Sequence, residues 1–151
     1  MRLLVCALFT SLAWGASLPD VHAVYLLPMA GGLDQFLASR LASENVFRVV
    51  TDPKQADAIF TDQLGATFEQ KLVELYPPPK PADAKPEKDD GRPQIRPYTG
   101  GHVTGSIFLV DRASHTVIWS SYEKKAGREP ASMDAEAKRI VGQIQKQKKT
   151  Q

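Results

Sequence analysis

Apolar residues along the chain come in short blocks whose spacing switches between strand-like and helix-like. "HAVYLLP" (22–28) is a brief apolar run closed by proline, of a length that suits a buried strand. "MAGG" then turns the chain, and in "LDQFLASRLASE" the residues Leu33, Phe36, Leu37 and Leu41 recur at helical spacing, predicting an amphipathic helix. In "NVFRVVT" the residues Val46, Arg48 and Val50 alternate against Phe47 and Val49, as in a strand. So short a connection predicts that this helix and strand pack as neighbours. "DPKQA" (52–56) predicts a single helical turn, with Asp52 as its cap and Pro53 at the first position, where a missing N–H costs nothing. "DAIFTDQL" is a third strand, and "GATFEQKLVELY" a second helix carrying Phe68, Leu72 and Leu75 on one face.

The pattern breaks at residue 77. Residues 77–101, "PPPKPADAKPEKDDGRPQIRPYTGG", hold most of the chain's 11 prolines and almost no large aliphatic side chain. Such a segment cannot bury enough surface to offset its ordering entropy, which predicts an extended insertion. Beyond it, "GSIFLVDRASHTVIWSSYE" (105–123) reads as two strands joined by a tight turn. Both faces of these strands are apolar over most of their length, which predicts central strands, with Val117 and Trp119 facing opposite to Ile118, Ser120 and Tyr122. "PASMDAEAKRIVGQIQKQKK" is a third helix, with Ser132 as the expected N-cap, acids near its start and lysines near its end. Its stripe of Met133, Ala137, Ile140, Val141 and Ile144 should lie on the sheet.

Interleaved strands and helices followed by a hairpin require a sheet that is at least partly antiparallel. The expected fold is an α+β (α/β) two-layer sandwich, a small mixed sheet of about five strands packed by about three helices. It forms one domain in two parts, 18–76 and 102–151, separated by the insertion 77–101.

The first residues change the picture of where the protein works. "MRLLVCALFTSLAWGAS" has one positive charge, an uncharged run from Leu3 to Trp14, and then small residues, the layout of a secretory signal over residues 1–17. Cleavage at residue 15, 17 or 23 is compatible with the small residues present, and an uncleaved leader would act as a membrane tether. Cys6 lies too early to be a lipidation site, and its loss with the leader would leave a mature chain without thiol chemistry. A net charge of +2 with mixed signs gives no argument for nucleic acid, and the basic end "KQKKTQ" reads as a solvated, frayed helix terminus.

Candidate chemistry is sparse. Asp111, Ser114 and His115 crowd into one turn, where Asp111 is expected to accept local backbone N–H groups and His115 to take a left-handed conformation. A Ser-His-Asp site would need the histidine held between the other two on a rigid scaffold. No catalytic residue is therefore assigned. His22, His102 and His115 show no metal-ligand spacing, so neither a metal nor another cofactor is expected. Gly31 and Gly32, leading into a helix, offer a possible rest for an anion but lack the spacing of a phosphate loop.

"VVTDPKQADAIFTD" and "GSIFLVDRASHTVIWSSYE" together resemble a superfamily of bacterial envelope domains. It includes the periplasmic domain of the curli secretion lipoprotein, the lipoproteins that activate penicillin-binding proteins, and the N-terminal domain of the Tol propeller protein. The resemblance spans roughly residues 22–76 and 103–145 and implies a small helix-packed sheet that binds other envelope proteins. Two departures stand out: many of those proteins are lipoproteins, and the hairpin-turn glycine common among them is here His115.

Residues and resemblance together give the expectation of a non-catalytic, exported interaction module in the periplasm or cell envelope, an adaptor or accessory subunit. Its partner would be an envelope protein met through a sheet edge or through the insertion, with Tyr76, Pro77, Pro78, Pro79 and Tyr98 as anchors. A homodimer hiding one sheet face fits the same pattern. The alternative is a periplasmic small-ligand or anion-binding protein that uses Gly31 and Gly32.

Overall fold

The computed structural model describes residues 17–77, 105–123, 127 and 129–150. Residues 1–16 of the leader, residues 78–101 of the insertion, with Pro78, Pro79 and Tyr98, and residues 102–104 lie outside the described residues. The elements are β1 (Ala23–Leu26), α1 (Leu33–Ser43), β2 (Arg48–Val49), β3 (Ala58–Thr61), α2 (Ala66–Leu75), β4 (Ser106–Asp111), β5 (Val117–Tyr122) and α3 (Pro130–Thr150). Single 3-10 turns occur at Leu18–Asp20, Ala30–Gly32 and Pro53–Gln55. In the last of these Asp52 accepts a hydrogen bond from Lys54 N, the cap anticipated from "DPKQA".

Five strands form one mixed sheet in the order β2-β1-β3-β4-β5. β1 runs parallel to both β2 and β3, while β3–β4 and β4–β5 are antiparallel. The connections dictate this: α1 carries the chain back for a parallel pairing, whereas the short turn after Asp111 can join only antiparallel strands. The result is the expected α+β two-layer sandwich. α1 and α3 lie over one face of the sheet, where Leu37 and Leu41 of α1 and Ala137, Ile140, Val141 and Ile144 of α3 meet Val24, Phe60, Leu109 and Trp119. The whole α3 stripe is buried. Phe60 sits centrally, its ring 6.3 Å from that of Phe47 and 6.4 Å, edge-on, from Trp119. On the opposite face the shorter α2 covers part of the sheet, with Phe68 and Leu72 against Leu27, Ile59 and Val110.

Polar staples fix the ends of the strands. Asp57, just before β3, accepts from His22 N (3.0 Å) and Ala23 N (2.8 Å) at the start of β1. Arg112, just after β4, donates from Nε to Ala56 O (2.6 Å) and from its backbone N to Asp57 O (3.0 Å). Across the helices, Arg40 of α1 forks onto both carboxylate oxygens of Asp134 on α3.

Four local expectations are corrected. The strand read over "NVFRVVT" shrinks to Arg48–Val49, because β2 is an edge strand paired only with β1. β4 is central, but β5 is the other edge, and its Val117 and Tyr122 stay exposed. Val117 and Trp119 do not share a face, because Leu109 faces Trp119 and Val110 faces Val117, leaving Ile118 as an extra, bulged residue. Finally, α3 starts at Pro130, so Ser132 lies inside its first turn and is not its N-cap; the proline at the helix start is the better signal.

Candidate functional site

The hairpin turn keeps its polar residues apart by function. Asp111 Oδ2 accepts from Ser114 N (2.7 Å) and Ser114 Oγ (2.6 Å), the local turn expected of an aspartate at a strand end. His115 has φ 55°, the left-handed conformation read from the sequence. Its ring points to α2, with Nδ1 3.2 Å from Glu69 and the ring 6.4 Å, edge-on, from Phe68. The histidine thus stands between neither Ser114 and Asp111 nor any other hydroxyl and carboxylate, and the turn docks the hairpin onto α2.

At the glycine pair, Gly31 and Gly32 both have positive φ, 72° and 79°. A Cβ on Gly31 would come within 2.6 Å of Met133 Cε, so Gly31 presses against α3, whereas the space at Gly32 is open. The chain also supplies its own anions here: Asp34 Oδ1 accepts from Met29 N (3.0 Å) and Asp62 Oδ2 from Ala30 N (2.9 Å). Two carboxylates beside this turn oppose a third negative charge, which weighs against an anion at Gly31 and Gly32.

Tyr76 is held by its own domain. Its hydroxyl donates to Pro53 O, and the Arg112 guanidinium lies 5.9 Å from its ring centroid. Burial raises the pKa of this phenol, opposed by the charge of Arg112. The side chain therefore seals the point where α2 ends, a packing role rather than a free anchor, while Pro77 is exposed beside it.

Two features escaped the sequence reading. Glu123 and Glu136 are 8% and 6% exposed, at the junction of β5 and α3. Glu123 accepts from Gln143 Nε2 (2.7 Å) and Arg139 Nε (3.2 Å), and Ser121 Oγ donates to Gln143 Oε1 (2.6 Å). Burial raises the pKa of Glu136, the Glu123 charge adds to this, and Arg139 opposes it. The pairing of residues 13 positions apart through a helix start has no local signature in sequence. Among the described residues no group of three or more side chains is placed to hold a metal ion.

The second feature is the outer edge of β5. Glu123 N donates to Gly105 O, and antiparallel alternation from that pair turns the backbone N–H and C=O of Ser120 and Tyr122 away from β4. Tyr122 is 71% exposed, and "VIWSSY" contains no charge and no proline. Such groups normally blunt an edge strand against pairing with another chain; among the described residues the bulge at Ile118 is the one feature that does so. Among the described residues no strand pairs with this edge. No helix among them is long and apolar enough to cross a membrane. Comparison of the chain with family models, curated proteins and solved structures finds no match.

Proposed function

We propose that this protein is a non-catalytic, exported interaction module, an adaptor or accessory subunit of a cell-envelope assembly, that meets its partner by strand addition at β5. The observation that supports this reading most is the unblunted end of the edge, Trp119–Tyr122, with outward backbone groups at Ser120 and Tyr122 and a large aromatic side chain in solvent. Strand addition draws affinity from main-chain hydrogen bonds and specificity from alternate side chains, and this edge offers both. The resemblance of "VVTDPKQADAIFTD" and "LVD…IWS" to envelope interaction domains points the same way.

Export rests on the leader-like first residues. Leu18 and Val21 are 1% exposed and belong to the main core, so a cut at residue 23 would strip two core side chains. Processing at or before residue 17 is the reading in keeping with the fold.

The test is a crosslinking pull-down from intact envelopes with three baits: the full chain, a chain lacking residues 78–99, and Tyr122→Lys. Loss of a defined envelope protein with Tyr122→Lys, and its retention by the deletion, assigns the contact to the edge. Loss only with the deletion assigns it to the insertion. Recovery of nothing but the protein itself by every bait refutes an adaptor.

A further inference from the structure

We propose that the cleft between the end of α3 and the edge strand β2 binds a small organic anion, a carboxylate or phosphate monoester on an apolar body, with Lys148 as its counter-ion. The site lies at the opposite edge of the sheet from β5 and is independent of the interaction-module reading.

Lys148 has no carboxylate partner among the described residues. Lys148 is not a frayed terminal lysine: its Nζ lies 4.3 Å above the Phe47 ring and donates to Val21 O (3.3 Å) and Val46 O (3.4 Å). Both bonds are long and both acceptors are neutral. None of the ion pairs among the described residues includes Lys148, although Arg40, Lys71 and Arg139 each have a carboxylate. Burial lowers the pKa of this amine, and no neighbouring charge contributes. An ammonium placed this way, with no carboxylate beside it among the described residues, presents a positive charge that an anionic oxygen can meet through a charge-assisted hydrogen bond.

The space beside it suits a ligand. One open groove of about 500 Å³ runs along β2 and is lined by Val21, Phe47, Arg48 and Lys148 among others. A second, of about 300 Å³, shares Asn45, Val46 and Lys148 with it and adds Lys149. Volumes of this size accept a small molecule. Valine and phenylalanine walls favour an apolar body, while Arg48 and Lys149 add positive charge at the rims. Glu44 is the sole acid among the lining residues, and it accepts from Gln145 Nε2 (3.1 Å). Asp57, near Arg48, already accepts two backbone N–H groups.

Nuclear magnetic resonance titration of the protein with benzoate, phenyl phosphate and neutral benzamide tests the proposal. Both anions should shift the amide resonances of Val46, Phe47 and Val49, and benzamide should not. Lys148→Met keeps the apolar stem over Phe47 and should weaken both anions at least tenfold, with Arg48→Ser weakening them less. Shifts that map elsewhere, no shifts, or equal shifts with benzamide overturn the proposal. So does undiminished anion affinity in a folded Lys148→Met; should that variant not fold, the map of shifts in the unaltered protein decides.

Discussion

Replacing Asp57 tests how the sheet is held together at the start of β1. Its Oδ2 takes the N–H groups of His22 and Ala23, while its own N–H donates to Ala23 O at 2.8 Å and its carbonyl accepts from Arg112 N. One residue thus ties β1 to β3 and to the β4–β5 turn. In Asp57→Ala two donors lose their acceptor. Water can replace it at exposed His22, but Ala23 is 1% exposed, so its N–H is stranded. A stranded buried donor and a lost bond to a charged group together cost about 2–3 kcal/mol. Asp57→Asn retains an acceptor oxygen and loses only the charge, which solvent already screens in part, so about 1 kcal/mol is expected.

Acid adds a second signature. Burial on its own would raise the Asp57 pKa, but the N–H groups of Ala23 and His22 outweigh it and hold the carboxyl below its usual value, helped by the charges of His22 and Arg48. A carboxyl held low contributes stability that is present above the unfolded value of about 4 and lost as pH falls through the folded one. Urea unfolding followed by far-ultraviolet circular dichroism at pH 7 and pH 3 measures both effects. The deficit of Asp57→Asn should shrink in acid. A deficit of under about 0.5 kcal/mol for Asp57→Ala at pH 7, within the range of ordinary surface substitutions, would refute the staple.

Three further outcomes follow from the same geometry. Gly31→Ala and Gly32→Ala should each cost about 1–2 kcal/mol for forcing a left-handed alanine, with Gly31→Ala the worse because Met133 must also move; chemical denaturation ranks them. Glu136→Gln should raise the urea midpoint at pH 7 and not at pH 3, since a carboxyl whose pKa is raised by burial loses stability as pH climbs from the unfolded value through the folded one. Breaking the Arg40–Asp134 fork with Arg40→Met should lower the urea midpoint slightly, and less in high salt, because both partners are partly solvated.

The elements were legible in the sequence wherever periodicity and burial coincide. The stripe of α3 and the strand "AIFT" are buried as the pattern requires, since a two-sided core leaves a one-residue shift no freedom. Edges were not legible. β5 has the apolar composition of a central strand, and only its pairing reveals that Ile118 bulges and that Tyr122 is left in solvent. Local chemistry was also readable: Asp111 and His115 adopt the turn roles their positions imply. Chemistry across long separations was not. Lys148 meets Val21 and Val46 only because α3 runs intact to Thr150, whereas the run of lysines in sequence suggested a solvated end. Likewise nothing in "MAGG" itself shows that Asp62, from another loop, accepts from Ala30 N.

The most direct test of the account is a photocrosslinking amino acid placed at position 122 on the β5 edge, with Lys71 on exposed α2 as the control position, irradiated in intact envelopes. The account predicts a discrete adduct with another envelope protein from position 122 alone, lost when Ser120→Pro blocks pairing on the outward side of the strand. An adduct that survives Ser120→Pro, or equal adducts from both positions, would contradict it.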